Sequence, residues 1–276
     1  MANFTAADVK ALRESTGAGM LDCKNALVEA EGNVEKAIEL IRIKGLKGVA
    51  KRGGRTTSDG LITGKASDGY ATLIELASET DFVAKNEKFI ALADRVLNAV
   101  AAAGASTVAE GNAAPIEGST VAEAIAEGAA VLAEKIELRS VAKVTGDRFE
   151  IYLHKTSKDL PPQVGVAIGY SGEDAETARG VAQHIAFADP KYLSRDDVPA
   201  ELVEKEHAVI IEIAKNEGKP EAALPKIIEG RTTGFFKQIA LLDQDYAKDN
   251  HMSVGRVLSD AGLTVTSFAR LKVGAE

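Results

Sequence analysis

"YATLIELASETDFVAKNEKF", residues 70–89, decides how this chain folds. Its first eight residues, Tyr70 to Ala77, read as a strand with Ile74 and Leu76 in the middle. From Phe89 onward, Leu92, Val96 and Val100 recur at helical spacing, so a helix is expected after Asn86. Asp81 and Phe82 fall between the two, in a turn where neither period asks for a large aromatic. Two readings are open. Phe82 either folds back to plug the strand-to-helix corner or points outward for insertion into something else. The local pattern favours the plug, because most Phe side chains are at least partly buried.

Upstream, Leu61 to Ala66 reads as a second strand, and "SDG" at 67–69 is a hairpin signal. The same order returns later. "RFEIYLHK" (148–155) and "QVGVAIGY" (163–170) form a strand pair, followed by a turn at "SGED" and a helix with Ala178, Val181 and Ile185 inward. Hairpin, turn and helix thus occur twice, which predicts an α+β core of two related subdomains with antiparallel strands. The first spans 59–146, and the second spans 147–195 with 240–276.

The stretch 101–120 is rich in Ala, Gly and Ser and reads as a loop. A helix is expected from Thr120 to Ile136, then a strand placing Ile136, Leu138, Ala142 and Val144 on one face. Residues 196–239 turn helical. Pro199 suits a first helical position, Leu202, Val203, Val209, Ile210 and Ile213 form a stripe, and "EGKP" turns the chain back. Ile227, Ile228, Phe235, Phe236 and Ile239 line the return, so a protruding helical hairpin is expected. A short helix from Val254 to Ala261 and a closing strand, "TVTSFARLKV", end the chain.

Residues 1–45 predict a three-helix bundle. Thr5 can cap a helix carrying Val9 and Leu12 that stops near Gly17. A second helix runs from about Met20 to Ala30 with Leu21 and Leu27 inward, and Asn33 can cap a third carrying Val34, Ile38 and Ile41. "RIKGLKGVAKRGGR" (42–55) follows, with six positive charges and no acids. It reads either as a basic arm for nucleic acid or as a solvated linker, and residues 46–58 are taken as a flexible linker.

Composition narrows the function classes. The chain has 276 residues and a net charge of −8, which argues against general nucleic-acid binding, since phosphates need a basic face. The single cysteine, Cys23, excludes an internal disulfide and predicts a reducing, cytoplasmic compartment. On its helix it reads as a packed residue. The N-terminus lacks the apolar segment of a secretory signal. No apolar run of about 18 residues is present, so no membrane span is expected.

An enzyme needs a constellation, and none is legible. His154, His184, His207 and His251 lack metal-ligand spacing. "TGAGM" lacks the third glycine of a dinucleotide turn and joins helices. "LITGKA" has Gly64 and Lys65, but Asp59 replaces the first P-loop glycine and Ala66 its hydroxyl residue. Neither a metal nor a cofactor is expected.

Several stretches together carry a resemblance: "LRESTGAGMLDCKNALVEAEGNVEKAIELIR" (12–42), "ETDFVAKNEKF" (79–89), "VEKE" (203–206), "EGR" (229–231) and "SVGRVL" (253–258). In these segments, and in their order along the chain, the sequence resembles the bacterial elongation factor Ts family. The resemblance implies a guanine nucleotide exchange factor for elongation factor Tu, bound in its GDP-loaded and nucleotide-free states, with no chemical catalysis. It implies a ubiquitin-associated-like bundle ahead of the two-subdomain core. It also implies that Thr80, Asp81, Phe82 and Val83 enter the partner's GTPase domain and displace elements holding the nucleotide's magnesium. On family grounds, then, Phe82 points outward. His154 matches a second intruding position, and Arg13, Met20, Leu21 and Lys24 match N-terminal positions that touch the same domain. The loop at 156–162 is longer than in many relatives, and the sequence stops at "KVGAE" without the further helical module of some. The helical hairpin is the element through which two copies would pair. The alternative of another class is a ubiquitin-like or nucleic-acid binding scaffold, resting on the bundle and the basic segment.

Overall fold

Polar caps decide where the first and third helices begin. The structure, a computed structural model, describes residues 4–218 and 220–275. Met1 to Asn3, Glu276 and Lys219 of the "EGKP" turn lie outside the described residues. The Thr5 side chain accepts from the Asp8 N–H, and the Asp8 carboxylate accepts back from the Thr5 N–H at 2.7 Å. This closed box starts α1, Ala6–Thr16, which ends where Gly17 turns left-handed at φ +74°. Helix α2 spans Met20–Glu29, and α3, capped by Asn33, spans Val34–Arg52. Val9, Leu12, Cys23, Ala26, Leu27, Ala30 and Ala37 form the bundle's core.

One inward assignment needs correction. Leu21 is 68% exposed, because the buried stripe of α2 is Cys23, Ala26 and Leu27, continued by Ala30 just past its end, and Leu21 lies off that face. Val34 and Ile38 are exposed too, while the small Ala37 takes the inner position of α3.

The first unit of the core begins with a hairpin. Strand β1, Asp59–Ser67, pairs antiparallel with β2, Tyr70–Ser78, without a slip from Ser67↔Tyr70 to Asp59↔Ser78. A one-turn helix α4, Asp81–Ala84, leads into α5, Glu87–Ala102. The expected loop at 101–120 instead holds α6, Val108–Ala113, and a small hairpin of β3, Pro115–Ile116, with β4, Ser119–Thr120. The overlooked signal is a capping box between Thr107 and Glu110. Helix α7, Val121–Leu132, stops four residues earlier than expected, where Ala133 turns left-handed at φ +59°. Strand β5, Ile136–Thr145, then lies beside β2, giving the order β1-β2-β5.

A bulge in β5 overturns the single apolar face expected there. Leu138 pairs with Leu76 and Ser140 with Glu75, so Arg139 is an extra residue that swaps the faces. Ile136 and Leu138 therefore join the helices, whereas Ala142 and Val144 face the second sheet.

The second unit repeats this path. Strand β6, Arg148–His154, pairs with β7, Val164–Ser171, and α8, Ala175–Ala188, follows. The helical hairpin comes next as α9, Ala200–Asn216, and α10, Leu224–Ile239. A small hairpin of β8, Asp245–Tyr246, and β9, Asp249–Ser253, leads to α11, Val254–Asp260. Strand β10, Thr264–Lys272, returns beside β7, so the order is β10-β7-β6. The repeat is thus longer than the sequence pattern indicated. Each unit has a hairpin, a helix, a two-strand ribbon, a capped helix and a third strand beside the second. The helical hairpin is an insertion between α8 and β8.

The two sheets pack face to face through Ala71, Leu73, Val144 and Ala167. Helices cover both outer faces, Phe89, Leu92 and Val96 on one side and Val181, Ile185 and Leu258 on the other. Each such large apolar side chain contributes about 1.5–3 kcal/mol by leaving water.

The expected linker is largely ordered helix, since α3 continues through Arg52. It lies on α7 so closely that a Cβ on Gly45 would stand 2.7 Å from the Ala130 Cβ. Arg42 pairs with Glu127, and Arg52 donates to the Ala129 carbonyl at 3.1 Å. Glycine is a poor helix former, but here it permits backbone approach, and tertiary packing overrides its propensity.

Candidate partner-contact site

Strand β2 runs out at Ser78, and the next six residues are held from several sides. Thr80 is extended, at φ −133° and ψ 157°, and its backbone carbonyl accepts from the Ser78 hydroxyl at 3.1 Å. Its N–H donates to one oxygen of Glu134 at 3.1 Å and its hydroxyl to the other at 2.6 Å. The neighbouring Glu79 accepts from the Lys135 N–H at 2.6 Å and from the Arg55 guanidinium at 3.0 Å. Burial alone would raise the Glu79 carboxyl, but these donors outweigh it and hold the group below its ordinary value.

The single turn of α4 then divides its residues. Val83 and Ala84 are buried, with Val83 in the cluster that contains Phe89 and Leu92. Phe82 is 74% exposed. The corner is plugged, but by Val83 and Ala84, so the plug reading of Phe82 is overturned. Lys85 lies 3.1 Å from the Asp81 carboxylate and 4.6 Å from the Phe82 ring centroid. An exposed pair of this kind is worth about 0–1 kcal/mol, and an exposed cation over a ring about 0.5–1 kcal/mol. A partner can displace either at small cost.

His154 ends β6, exposed, with its Nδ1 at 3.0 Å from the Tyr152 hydroxyl. Its carbonyl accepts from the Gln163 N–H, and the Gln163 side chain donates to the Gly60 carbonyl at 2.9 Å. Gly60 sits opposite Ala77 at the end of β2. His154 and the Thr80 turn therefore share one end of the sandwich. Val273 and Gly274 reach it too, through the Gln163 carbonyl and the Glu75 carboxylate.

Arg13, Met20, Leu21 and Lys24 are all exposed, with Met20 at 50%. The corner between α1 and α2 rests on the start of α5. A Cβ on Gly17 would stand 2.6 Å from the Lys88 ammonium and 2.8 Å from the Val131 methyl. The bundle's first corner thus sits against α5 and α7 of the first unit. Sequence reasoning missed Glu134 and Arg55, because both act on residues far along the chain and carry no local signal.

Among the described residues, no group of three or more His, Cys, Asp or Glu could hold a metal ion. No described helix is long and apolar enough to cross a membrane. The fold and this turn define a two-unit α+β protein that presents an anchored, outward-facing aromatic. The family profile described as "Elongation factor TS" matches residues 79–275. The chain is 68% identical to "Elongation factor Ts" of Clavibacter michiganensis subsp. michiganensis, over 275 residues and the full length of both. It is 62% identical to that of Leifsonia xyli subsp. xyli, again over the full length of both. The chain belongs to the elongation factor Ts family.

Proposed function

We propose that this chain is a guanine nucleotide exchange factor for elongation factor Tu, acting by contact and without covalent chemistry. The observation that carries this reading is Phe82, 74% exposed on a turn whose neighbours are anchored. An aromatic held this way can enter an apolar gap without first leaving a core. Asp81 beside it is a carboxylate whose close cation, Lys85, is weakly held, so it can capture amide or basic groups of the partner. Thr80 and Val83 hold the wedge in place, the first by its bonds to Glu134 and the second by burial. His154 is a second contact at the same end. Arg13, Met20, Leu21 and Lys24 grip the partner from the bundle.

Exchange follows by linkage. The factor favours a partner conformation that holds GDP and its magnesium poorly, and GDP opposes factor binding by the same free energy. Weakening the partner's metal contact removes the main counter-charge of the diphosphate. GTP then binds and expels the factor.

Of the six cations at 42–55, Arg42, Lys44 and Arg55 pair with carboxylates, and Arg52 with a carbonyl. That supports a docked segment over a free arm for nucleic acid. Leu202, Val209 and Ile213 are exposed at helical spacing on α9, which supports the hairpin as the contact between two copies. Sedimentation of the parent and of a triple Ser variant checks that pairing. The exchange reading is tested by mixing the chain with elongation factor Tu loaded with fluorescent GDP. Acceleration by the parent is expected, and a parent without effect overturns the proposal.

A further inference from the structure

We infer that Glu134 is a positioning residue of the exchange site, gripping Thr80 so that Asp81 and Phe82 leave the strand in one direction. This rests on the wedge reading above. It is carried by a comparison among helix starts within this chain. Among the described residues, three helices begin with a Thr whose N–H donates to the acid three residues on: Thr5 to Asp8, Thr107 to Glu110, and Thr120 to Glu123. At Thr5 and Thr120 the hydroxyl donates to the same acid as well. Thr80 holds the equivalent position before α4, and both its groups donate to an acid in the same way. The third position of α4, however, is Val83, which is committed to the core. The acid comes instead from Glu134, across the fold at the corner between α7 and β5. The acid half of a box normally supplied within one helix is supplied here from a second corner, while the Thr80 side chain accepts no N–H of α4.

The grip is reciprocal. Glu79, one residue before Thr80, accepts from the N–H of Lys135, one residue after Glu134. The left-handed Ala133 turns the chain out of α7 just before Glu134. A helix of four residues has too few internal bonds to hold its own direction, since a first turn fixes several dihedrals for one hydrogen bond. What aims Phe82 is therefore the pair of anchors on either side of it, Thr80 on Glu134 and Val83 in the core.

The test compares Glu134→Ala, Phe82→Ala and the double variant in exchange on GDP-loaded elongation factor Tu, with amide hydrogen exchange on each free chain. Glu134→Ala is expected to lower the rate at saturating factor about tenfold while its half-saturating concentration moves less than about twofold. The Thr80 amide should lose protection while that of Val96 in α5 keeps it. In the Phe82→Ala background, adding Glu134→Ala should change the rate less than about twofold, because the grip acts through the wedge. Glu134→Gln, which keeps one acceptor and the volume, should fall between parent and Glu134→Ala, and it serves as the test should Glu134→Ala not fold. Parent-like exchange with an unprotected Thr80 amide overturns the inference. A tenfold loss that persists without Phe82 also overturns it, since the effect would then be general. Full exchange by Phe82→Ala alone would remove the wedge reading and this inference with it.

Discussion

The two units of the core follow the same path through different corners. In the second, Asp174 caps α8 directly, accepting from the Thr177 N–H at 2.9 Å, and the chain passes from hairpin to helix without incident. In the first, the one-turn α4 and the capping Asn86 come between hairpin and helix, and the extra turn carries Phe82. The second unit places its own additions elsewhere, in the α9–α10 pair. Each unit thus keeps a shared packing of sheet and helices and differs where an insertion meets solvent. Contact residues can change at such corners without disturbing the core, because few buried side chains depend on them.

The largest expected effect separates the two exposed phenylalanines. Phe82→Ala should reduce catalysed GDP release by about thirtyfold, the size of an aromatic interface anchor, while folding stability moves by less than about 0.5 kcal/mol. Phe187, 83% exposed at the end of α8, is the control from the second unit, and Phe187→Ala should leave release unchanged. Equal losses in both variants would remove the distinction between the corners.

Next in size is the docking of the bundle on the first unit. Gly45→Val should cost about 1–3 kcal/mol in a denaturant titration, because its side chain would overlap Ala130. A stability equal to the parent's would show that α3 moves freely over α7.

Acid should act first on the second unit, since residues 59–146 contain no histidine. His184 is buried in the second unit, its Nδ1 accepting from the Ala247 N–H at 3.1 Å and its Nε2 donating to Gln244 at 2.9 Å. Burial lowers its proton affinity below the ordinary value, and the bond to Gln244 only partly opposes this. The unfolded chain therefore takes up the proton first. Stability should be full above about pH 6.5 and fall below it by up to about 1.4 kcal/mol per pH unit, until the folded form also protonates. Thermal melts between pH 7.5 and 5.5 check this, and His184→Gln should flatten the curve in that window. A parent whose melting point is constant across it contradicts the assignment.

The smallest effect belongs to the ion pair beside the wedge. Lys85→Ala should change stability by no more than about 0.5 kcal/mol, because both partners are substantially exposed. A larger loss in a urea titration would mean that the first corner depends on Asp81 and Lys85 instead of on Glu134 and Val83.

Residues near one another in sequence made most of the elements legible. Thr5, Gly17 and Asn33 mark helix ends through bonds spanning three or four residues, and the strand–turn–helix order at 70–100 follows from alternation giving way to helical spacing. The hairpin at Ser67–Tyr70, the doubled α+β pattern and the inserted helical pair were readable on the same grounds. Three other features depend on partners more than fifty residues away. One extra residue, Arg139, reversed the faces of β5, because only the register with β2 shows the bulge. Residues 46–52 joined a helix in place of a linker, because α3 packs on α7, with Gly45 against Ala130 and Arg52 on the Ala129 carbonyl. Phe82 points outward because Val83 fills the corner and Glu134 holds Thr80, 54 residues away along the chain. Hydrophobic period and capping are short-range and leave their marks in sequence, whereas the direction of an exposed side chain is set by which distant groups satisfy the backbone beneath it.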